Sequence, residues 1–259
     1  MKFYSQVLLA ALISFSAVAQ KKELKAAQKL VDASLYEKAL VALDEMKPLI
    51  DSAEAKYSSH YYYLLGLSKQ KTKAFDEAIA AFDKVNSIEK SASLKKYSSL
   101  AEINVPSLTN DLINEAVDLN SKNEYLAAST LLHTAYELDA ENNIDYLYFA
   151  ASSAVNAGDY DTSLAYYTKL KDLNYQGRKK VYYATEVSTG DEIEVPDAAT
   201  FEIHKKSKDF KDLHEDLTPS RRPEIVKNIA LIYVQKGDNE AAMQAVKDAR
   251  SVSPKDVSL

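Results

Sequence analysis

Residues 57–85 read YSSHYYYLLGLSKQKTKAFDEAIAAFDKV, and this stretch decides the fold. The apolar residues from Tyr61 to Leu65 fall at helical spacing and do not alternate as in a strand. A turn at 72–74 precedes a second helical pattern from Phe75 to Val85. Two helices joined by so short a turn must lie antiparallel. The stretch therefore predicts a helical hairpin with two apolar stripes, which needs neighbouring hairpins to cover them.

Gly66 lies in the middle of the first predicted helix, where glycine costs about 1 kcal/mol relative to alanine. Either this cost is simply tolerated, or the second helix passes too close for a side chain. We favour a close approach at Ala78, because the same arrangement recurs along the chain.

Small residues recur in pairs that are twelve positions apart. The pairs are Ala27 and Ala39, Gly66 and Ala78, Ala116 and Ala128, Ala151 and Ser163, and Ala230 and Ala242. Extra residues fall between the pairs and not inside them, so the contact between the two helices of each hairpin is kept. The recurrence predicts five helical hairpins.

The pattern Tyr62-x2-Leu65-Gly66 followed by Ala78-x3-Phe82 resembles the tetratricopeptide repeat (TPR), a helical hairpin with a period of about 34 residues. The family usually has Trp where Tyr62 stands. The resemblance implies an all-α fold, a TPR-like α-solenoid of about five antiparallel helix pairs. It also implies that the first helix of each pair lines an inner, ligand-facing groove.

The chain divides into four predicted segments. They are a signal peptide at 1–19, repeats 1–4 at 20–173, an insert at 174–222, and a fifth repeat with the start of a sixth at 223–259. Within the second segment we expect an extra helix at 91–104, closed by Pro106. Because the sixth unit breaks off at Leu259, we expect the chain to belong to a longer repeat array.

Residues 1–19 have the pattern of a secretory leader. Lys2 is followed by an apolar core at 7–15 and by an A-x-A cleavage motif that leaves Gln20 first. The alternative is an uncleaved anchor or a buried first helix. The leader predicts export to the periplasm or the medium.

The insert is predicted to contain a small β-hairpin and a helix. Lys179–Glu186 alternates in polarity, turn residues follow, and Glu192–Val195 forms a short second strand. Ala198–Leu213 is moderately amphipathic and predicts one helix. The insert is either a partner-specific arm or a structural element folded over its neighbours.

Composition narrows the classes of function. The 259 residues are 46% apolar, which is enough for a sizeable core, and no segment beyond the leader is apolar enough to span a membrane. The absence of cysteine excludes disulfides and a lipid anchor of the bacterial lipoprotein type. The net charge of −6 and the absence of a long basic block argue against a nucleic-acid partner.

The resemblance places a set of candidate residues on the groove. They are His60, Tyr63, Leu67, Gln70, Asn110, Ile113, Val117, Asn120, Asp145, Tyr148, Ser152 and Asn156. Tyr63 and Tyr148 are either peptide contacts or ordinary packing residues. Some family members hold a C-terminal carboxylate with Lys and Asn, but the matching positions here are Leu24 and Gln28, so we expect no such clamp.

No catalytic, cofactor or metal site is expected. His204 and His214 lie beside several acidic residues but lack the spacing of a zinc site. No nucleophile elbow, P-loop, HExxH or dinucleotide fingerprint is present.

Three functions are compatible with these patterns. The first is an exported scaffold that binds a protein or peptide, in envelope assembly or secretion. The second is a glycan-binding or uptake component of the envelope, against which the absence of Cys and Trp argues. The third is a hydrolase within the insert, which no residue pattern supports.

Overall fold

The computed structural model describes residues 20–252, which divide into two compact units, the first ending at Val117 and the second beginning at Asp118. Each unit is built mainly from helix pairs. The predicted leader at 1–19 lies outside the described residues, as does the predicted start of a sixth repeat.

From residue 20 onwards, the first unit contains four helices and the beginning of a fifth. They are α1 (20–32), α2 (Tyr36–Ile50), α3 (Ala55–Lys71), α4 (Phe75–Ala92) and α5 (Lys96–Ser121), which continues past the unit boundary. The core of this unit includes Leu24 and Leu43 from the first pair and Leu64 from the second, all at most 1% exposed.

The second unit contains six helices and three strands within the described residues. They are α6 (Tyr125–Leu138), α7 (Ile144–Ala157), α8 (Tyr160–Asp172), β1 (Lys180–Glu186), β2 (Glu192–Val195), α9 (Ala198–His204), β3 (Phe210–Leu217), α10 (Arg222–Gln235) and α11 (Asn239–Val252). Its main core joins Leu147, Tyr167, Leu170 and Ile225, each at most 1% exposed.

The turn of each of the five predicted hairpins is closed by the same type of backbone hydrogen bond. The backbone N–H just before the second helix donates to the carbonyl five residues earlier, at 2.8–3.0 Å. The bonds run from Leu35 to Leu30, Ala74 to Lys69, Glu124 to Leu119, Asp159 to Ala154 and Asp238 to Tyr233. Every acceptor lies three residues after the first small residue of its pair. This bond satisfies a carbonyl at the end of the first helix and turns the chain back.

The residue before each donor has a positive φ. These residues are Ser34, Lys73, Asn123, Gly158 and Gly237, with φ between 57° and 75°. Glycine is the usual residue in this conformation. Its presence in only two of the turns shows that the closing bond holds other side chains there as well.

Gly66 is required by an aromatic ring of the facing helix. A Cβ atom built on Gly66 would lie 2.6 Å from Phe82 Cε1 and 2.9 Å from Phe82 Cζ. Phe82 is 7% exposed and its ring is also close to that of Tyr63, at 6.3 Å between centroids. The predicted close approach therefore exists, but the group nearest to the missing side chain is the Phe82 ring and not Ala78.

We expect Gly66→Ala to lower the free energy of unfolding by about 1–2 kcal/mol, because overpacking against Phe82 outweighs the gain in helix propensity. Urea unfolding of the wild type and the variant measures the difference. In a Phe82→Leu background the same substitution should cost less. An unfolding midpoint at or above that of the wild type for Gly66→Ala alone would contradict the overpacking.

The predicted extra helix at 91–104 is wrong, because α5 runs without a break from Lys96 to Ser121 with Pro106 inside it. A proline in a helix costs about 3 kcal/mol. Here Ala101 and Leu108 are buried on either side of it, so packing offsets the cost. The preceding helix, α4, ends before Ser93, which has a φ of 55°. Pro48 likewise lies within a helix, in the last turn of α2.

The insert forms a three-stranded antiparallel sheet in the order β2-β1-β3. The predicted hairpin is confirmed, with Tyr182 opposite Val195 and Thr185 opposite Glu192. The predicted helix over Ala198–Leu213 is correct only as far as His204. Residues 205–209 form a turn, and 210–213 belong to β3, which pairs with the other edge of β1.

Backbone pairing explains the third strand. β3 is mostly exposed and has no strict alternation of apolar residues, so its sequence does not resemble a strand. Pairing satisfies the N–H and C=O groups along the β1 edge, and Phe210 and Leu213 pack against a small core. That core contains Ala184, Val195 and Phe201, all at most 2% exposed.

The predicted fold class is confirmed: the chain consists mainly of antiparallel helix pairs, with a small antiparallel sheet between the fourth and fifth pairs. Within residues 20–252, no helix is long and apolar enough to cross a membrane.

Candidate functional site

The first helices of the first three pairs converge on one pocket of the first unit, with a volume of about 470 Å³. We name it the lysine-rimmed pocket. Its lining residues are Lys21, Leu24, Lys25 and Gln28 on α1, Lys56, Tyr57 and His60 on α3, and Lys96 and Tyr97 on α5. Of the predicted groove residues, only His60 lines this pocket.

An aromatic stack forms one wall of the lysine-rimmed pocket. The rings of His60 and Tyr97 lie 4.6 Å apart between centroids and are inclined by only 8°. His60 Nε2 lies 2.9 Å from Gln28 Oε1, which makes Nε2 the protonated nitrogen in a neutral ring. Contacts to two other helices therefore hold His60 in place.

His60 is neutral at physiological pH. Burial, and then the nearby charge of Lys96, lower its pKa from 6.5 to about 4. The wall of the pocket is therefore an uncharged aromatic surface, and the positive charge comes from the lysines alone.

Two of the lysines lie over aromatic rings. Lys56 Nζ is 4.7 Å from the centroid of Tyr57, and Lys96 Nζ is 4.8 Å from that of Tyr97. Lys56 Nζ also pairs with Glu54 Oε2 at 2.8 Å. Among the described residues, no carboxylate pairs with Lys21 or Lys25. The rim thus carries more positive charge than its neighbours neutralise.

Glu89, in α4, fixes the start of α5 and with it the positions of Lys96 and Tyr97. Its carboxylate accepts hydrogen bonds from the N–H groups of Tyr97 and Ser98 at 3.0 and 2.9 Å, and from Ser98 Oγ at 2.8 Å. Burial alone would raise the pKa of Glu89, but these hydrogen bonds outweigh it and lower the pKa. Glu89 is therefore an ionised cap for the α5 N-terminus.

We expect the His60 ring to titrate with a midpoint of about 4 in an NMR pH titration. Because the unfolded chain binds this proton at a higher pH, stability should fall as the pH drops from 6.5 towards 4. His60→Gln should remove this part of the pH dependence, which unfolding curves at several pH values would measure. A midpoint near 6.5 would show that the stack does not shield the ring.

The other predicted groove residues of the first unit occupy several environments. Tyr63 and Leu67 are half-buried, Ile113 on α5 is half-buried, and Asn110 and Val117 are exposed. The Tyr63 ring lies 5.5 Å from that of Tyr97, behind the stack.

Gln70 does not face an open groove, because it is 1% exposed and bonded to α5. Its Nε2 donates to Asp111 Oδ2 at 2.7 Å and to Ser107 Oγ at 3.3 Å, while its Oε1 accepts from Asn104 Nδ2 at 2.6 Å. Gln70 therefore joins two helices and is not available to a ligand.

In the second unit, Asp145 and Tyr148 contact residues at or next to the two ends of the insert. Asp145 accepts a hydrogen bond from the Tyr175 hydroxyl. The Tyr148 hydroxyl donates to Glu224 Oε1 at 2.6 Å, and the guanidinium carbon of Arg221 lies 4.2 Å from the Tyr148 centroid. Burial and then the Glu224 hydrogen bond raise the pKa of Tyr148, so its hydroxyl stays a donor. Both predicted ligand positions are thus covered by this chain.

The remaining groove candidates of the second unit are dispersed. Asn120 accepts from Ser153 Oγ at 3.1 Å, and Ser152 is hydrogen-bonded to the Tyr167 hydroxyl. Asn156 is exposed and lines a different pocket of about 460 Å³ together with residues 123–127 and Ala157. Neither Asn120 nor Ser152 lines that pocket.

All ten small residues of the five predicted pairs are buried. In the fourth pair the contact is direct, because Ser163 Oγ donates to the Ala151 carbonyl at 2.9 Å. Their role is in packing the hairpins and not in binding.

No group of three or more His, Asp or Glu side chains within residues 20–252 could hold a metal ion. His204 stacks on Phe210 at 3.7 Å between centroids, and His214 stacks on Tyr183 at 5.2 Å. Both histidines therefore belong to the packing of the insert.

Sequence reasoning missed the four lysines. Lys21 and Lys25 are one helical turn apart, next to Leu24 and Gln28, the positions compared with the carboxylate clamp. A search for basic residues around those positions on all three first helices would have found the rim.

Two segments of the chain are similar to a known family. Residues 59–91 and 228–256 match the family model of the tetratricopeptide repeat, and within the described residues they overlap the α3–α4 and α10–α11 pairs. A comparison with curated proteins gave no match.

Three solved structures are among those that a structural search matched. YrrB, a TPR protein with an unusual peptide-binding site, is 16% identical, with 90% of this chain and 86% of that chain covered and a TM-score of 0.33. MamA (AMB-1) is 13% identical, with 90% and 98% covered and a TM-score of 0.32. A putative kinesin light chain of Podosopora anserina with nearly identical TPR-like repeats is 12% identical, with 91% and 95% covered and a TM-score of 0.34.

At these TM-scores the whole chains do not superpose, and the similarity says nothing about what this chain binds. The sequence similarity to the tetratricopeptide repeat therefore lies in two segments of this chain, 59–91 and 228–256.

Proposed function

We propose that the protein is an exported, non-catalytic scaffold that binds another protein or a peptide, in assembly of the cell envelope or in secretion. It needs no cofactor for this role. Binding takes place on the first helices of the pairs in the first unit.

The lysine-rimmed pocket is the observation that supports this proposal. Three helices from successive pairs contribute to it, and its exposed lysines have no part in closing the hairpins. In the second unit the corresponding positions Asp145 and Tyr148 already contact Tyr175 and Arg221. The first unit is therefore the better surface for a partner.

The proposal of export rests on the leader pattern in residues 1–19, with its A-x-A motif before Gln20. The periplasm is the compartment that fits a bacterial envelope role.

Site-specific photo-crosslinking in cells of the source organism tests the scaffold role. A photoreactive amino acid at position 25, on the pocket rim, should capture a protein partner, because a bound segment would lie within reach. The same amino acid at position 38, on exposed α2, is the matched control. Equal or no capture at the two positions, assessed by mass spectrometry, would refute a partner site at the pocket.

Export is tested separately by cell fractionation and mass spectrometry of the intact chain. We expect the envelope or medium fraction to contain a chain that begins at Gln20, because cleavage follows Ala19. A cytosolic chain that retains residues 1–19 would overturn the proposal of export and leave the binding role intact.

A further inference from the structure

We infer that the lysine-rimmed pocket binds an acidic segment of a partner protein in which one aromatic or aliphatic side chain lies between carboxylates. This inference rests on the proposed scaffold function and specifies the chemistry of the partner.

The first argument is the location of charge. Lys21, Lys25, Lys56 and Lys96 surround one opening, although the whole chain has a net charge of −6. A local positive rim on an acidic protein attracts carboxylates there, while the rest of the surface repels them. Of the four lysines, Lys56 alone pairs with a carboxylate among the described residues.

The second argument is the apolar lining beneath the rim. Leu24, which is 1% exposed, and the rings of Tyr57, His60 and Tyr97 are among the residues that line the pocket. Because His60 is neutral and held by Gln28, the lining offers no cation to a deeply bound carboxylate. An uncharged side chain therefore enters the pocket, and its acidic neighbours remain at the rim.

The third argument is size. The volume of about 470 Å³ lies within the roughly 300–1,000 Å³ typical of ligand pockets. It accommodates one large side chain with adjacent backbone and not a folded domain. A linear segment is therefore the form of partner that fits.

A nucleic acid would also bring negative charge and rings. The overall charge of −6 opposes a long polyanion, whereas a short acidic segment needs only the rim. We therefore favour the acidic segment and include a single-stranded oligonucleotide in the test.

Fluorescence anisotropy with labelled peptides and the full mature chain tests the inference. The probe is a short peptide with one phenylalanine flanked by glutamates. The comparison peptides replace the phenylalanine by alanine or the glutamates by lysines. We expect the probe to bind more tightly than either comparison peptide. Its affinity should fall as NaCl rises from about 0.1 to about 1 M, because the Debye length falls from about 10 to about 3 Å.

Two double variants locate the binding. Lys21→Gln with Lys25→Gln should weaken the affinity for the probe by roughly fivefold, since each exposed charge contributes modestly. Lys38→Gln with Lys47→Gln makes the same change in net charge on exposed positions of α2 and should leave binding unchanged. Circular dichroism melts check that all chains are folded.

Several results would overturn the inference. They are no binding of the probe, equal binding of the lysine-flanked peptide, equal loss in both double variants, tighter binding of the oligonucleotide, and self-association that depends on Lys21 and Lys25. If any of these occurs while position 25 still captures a partner in cells, the partner chemistry is wrong but the scaffold role stands. If the probe binds as expected while position 25 captures nothing, the pocket chemistry stands and the scaffold role fails.

Discussion

The fold depends on one backbone hydrogen bond that is repeated at every hairpin turn. It links the N–H before the second helix to a carbonyl near the end of the first, and it requires a residue with positive φ just before the donor. For Ser34, Lys73 and Asn123 that conformation is unfavourable by about 1–2 kcal/mol. The bond and the packing that follows from it offset this cost, and they set the direction in which each second helix returns.

The hairpins could be predicted from sequence because their determinants are local. Small residues at a fixed offset, an aromatic residue three positions before the second of them in most pairs, and a turn between them are all visible in the chain. The sequence-based predictions were wrong where contacts between residues far apart in the sequence determine the secondary structure. Buried side chains on both sides keep α5 helical through Pro106, and pairing with β1 turns residues 210–217 into a strand. Neither effect leaves a local signal.

The candidate site was predicted less well than the fold. The resemblance identified which helices face a ligand, and His60 does line the pocket. The resemblance did not show which of those side chains are occupied by contacts within the protein. Gln70 is hydrogen-bonded to α5, and Tyr148 packs against Arg221. The lysines were missed because Lys25, Lys56 and Lys96 are about thirty to forty residues apart and become neighbours only after folding.

The hairpin turns are closed by backbone hydrogen bonds, whereas the rim of the pocket consists of side chains. Rim residues such as Lys25 can be exchanged for other types without touching the atoms that shape the turns. Glu89 is an exception, because it is a side chain of the second pair that orients α5, the first helix of the third pair. The surface can therefore diversify quickly over evolutionary time, while the junction at Glu89 should resist change, and a library intended to reprogram the pocket would vary the rim and leave that junction alone.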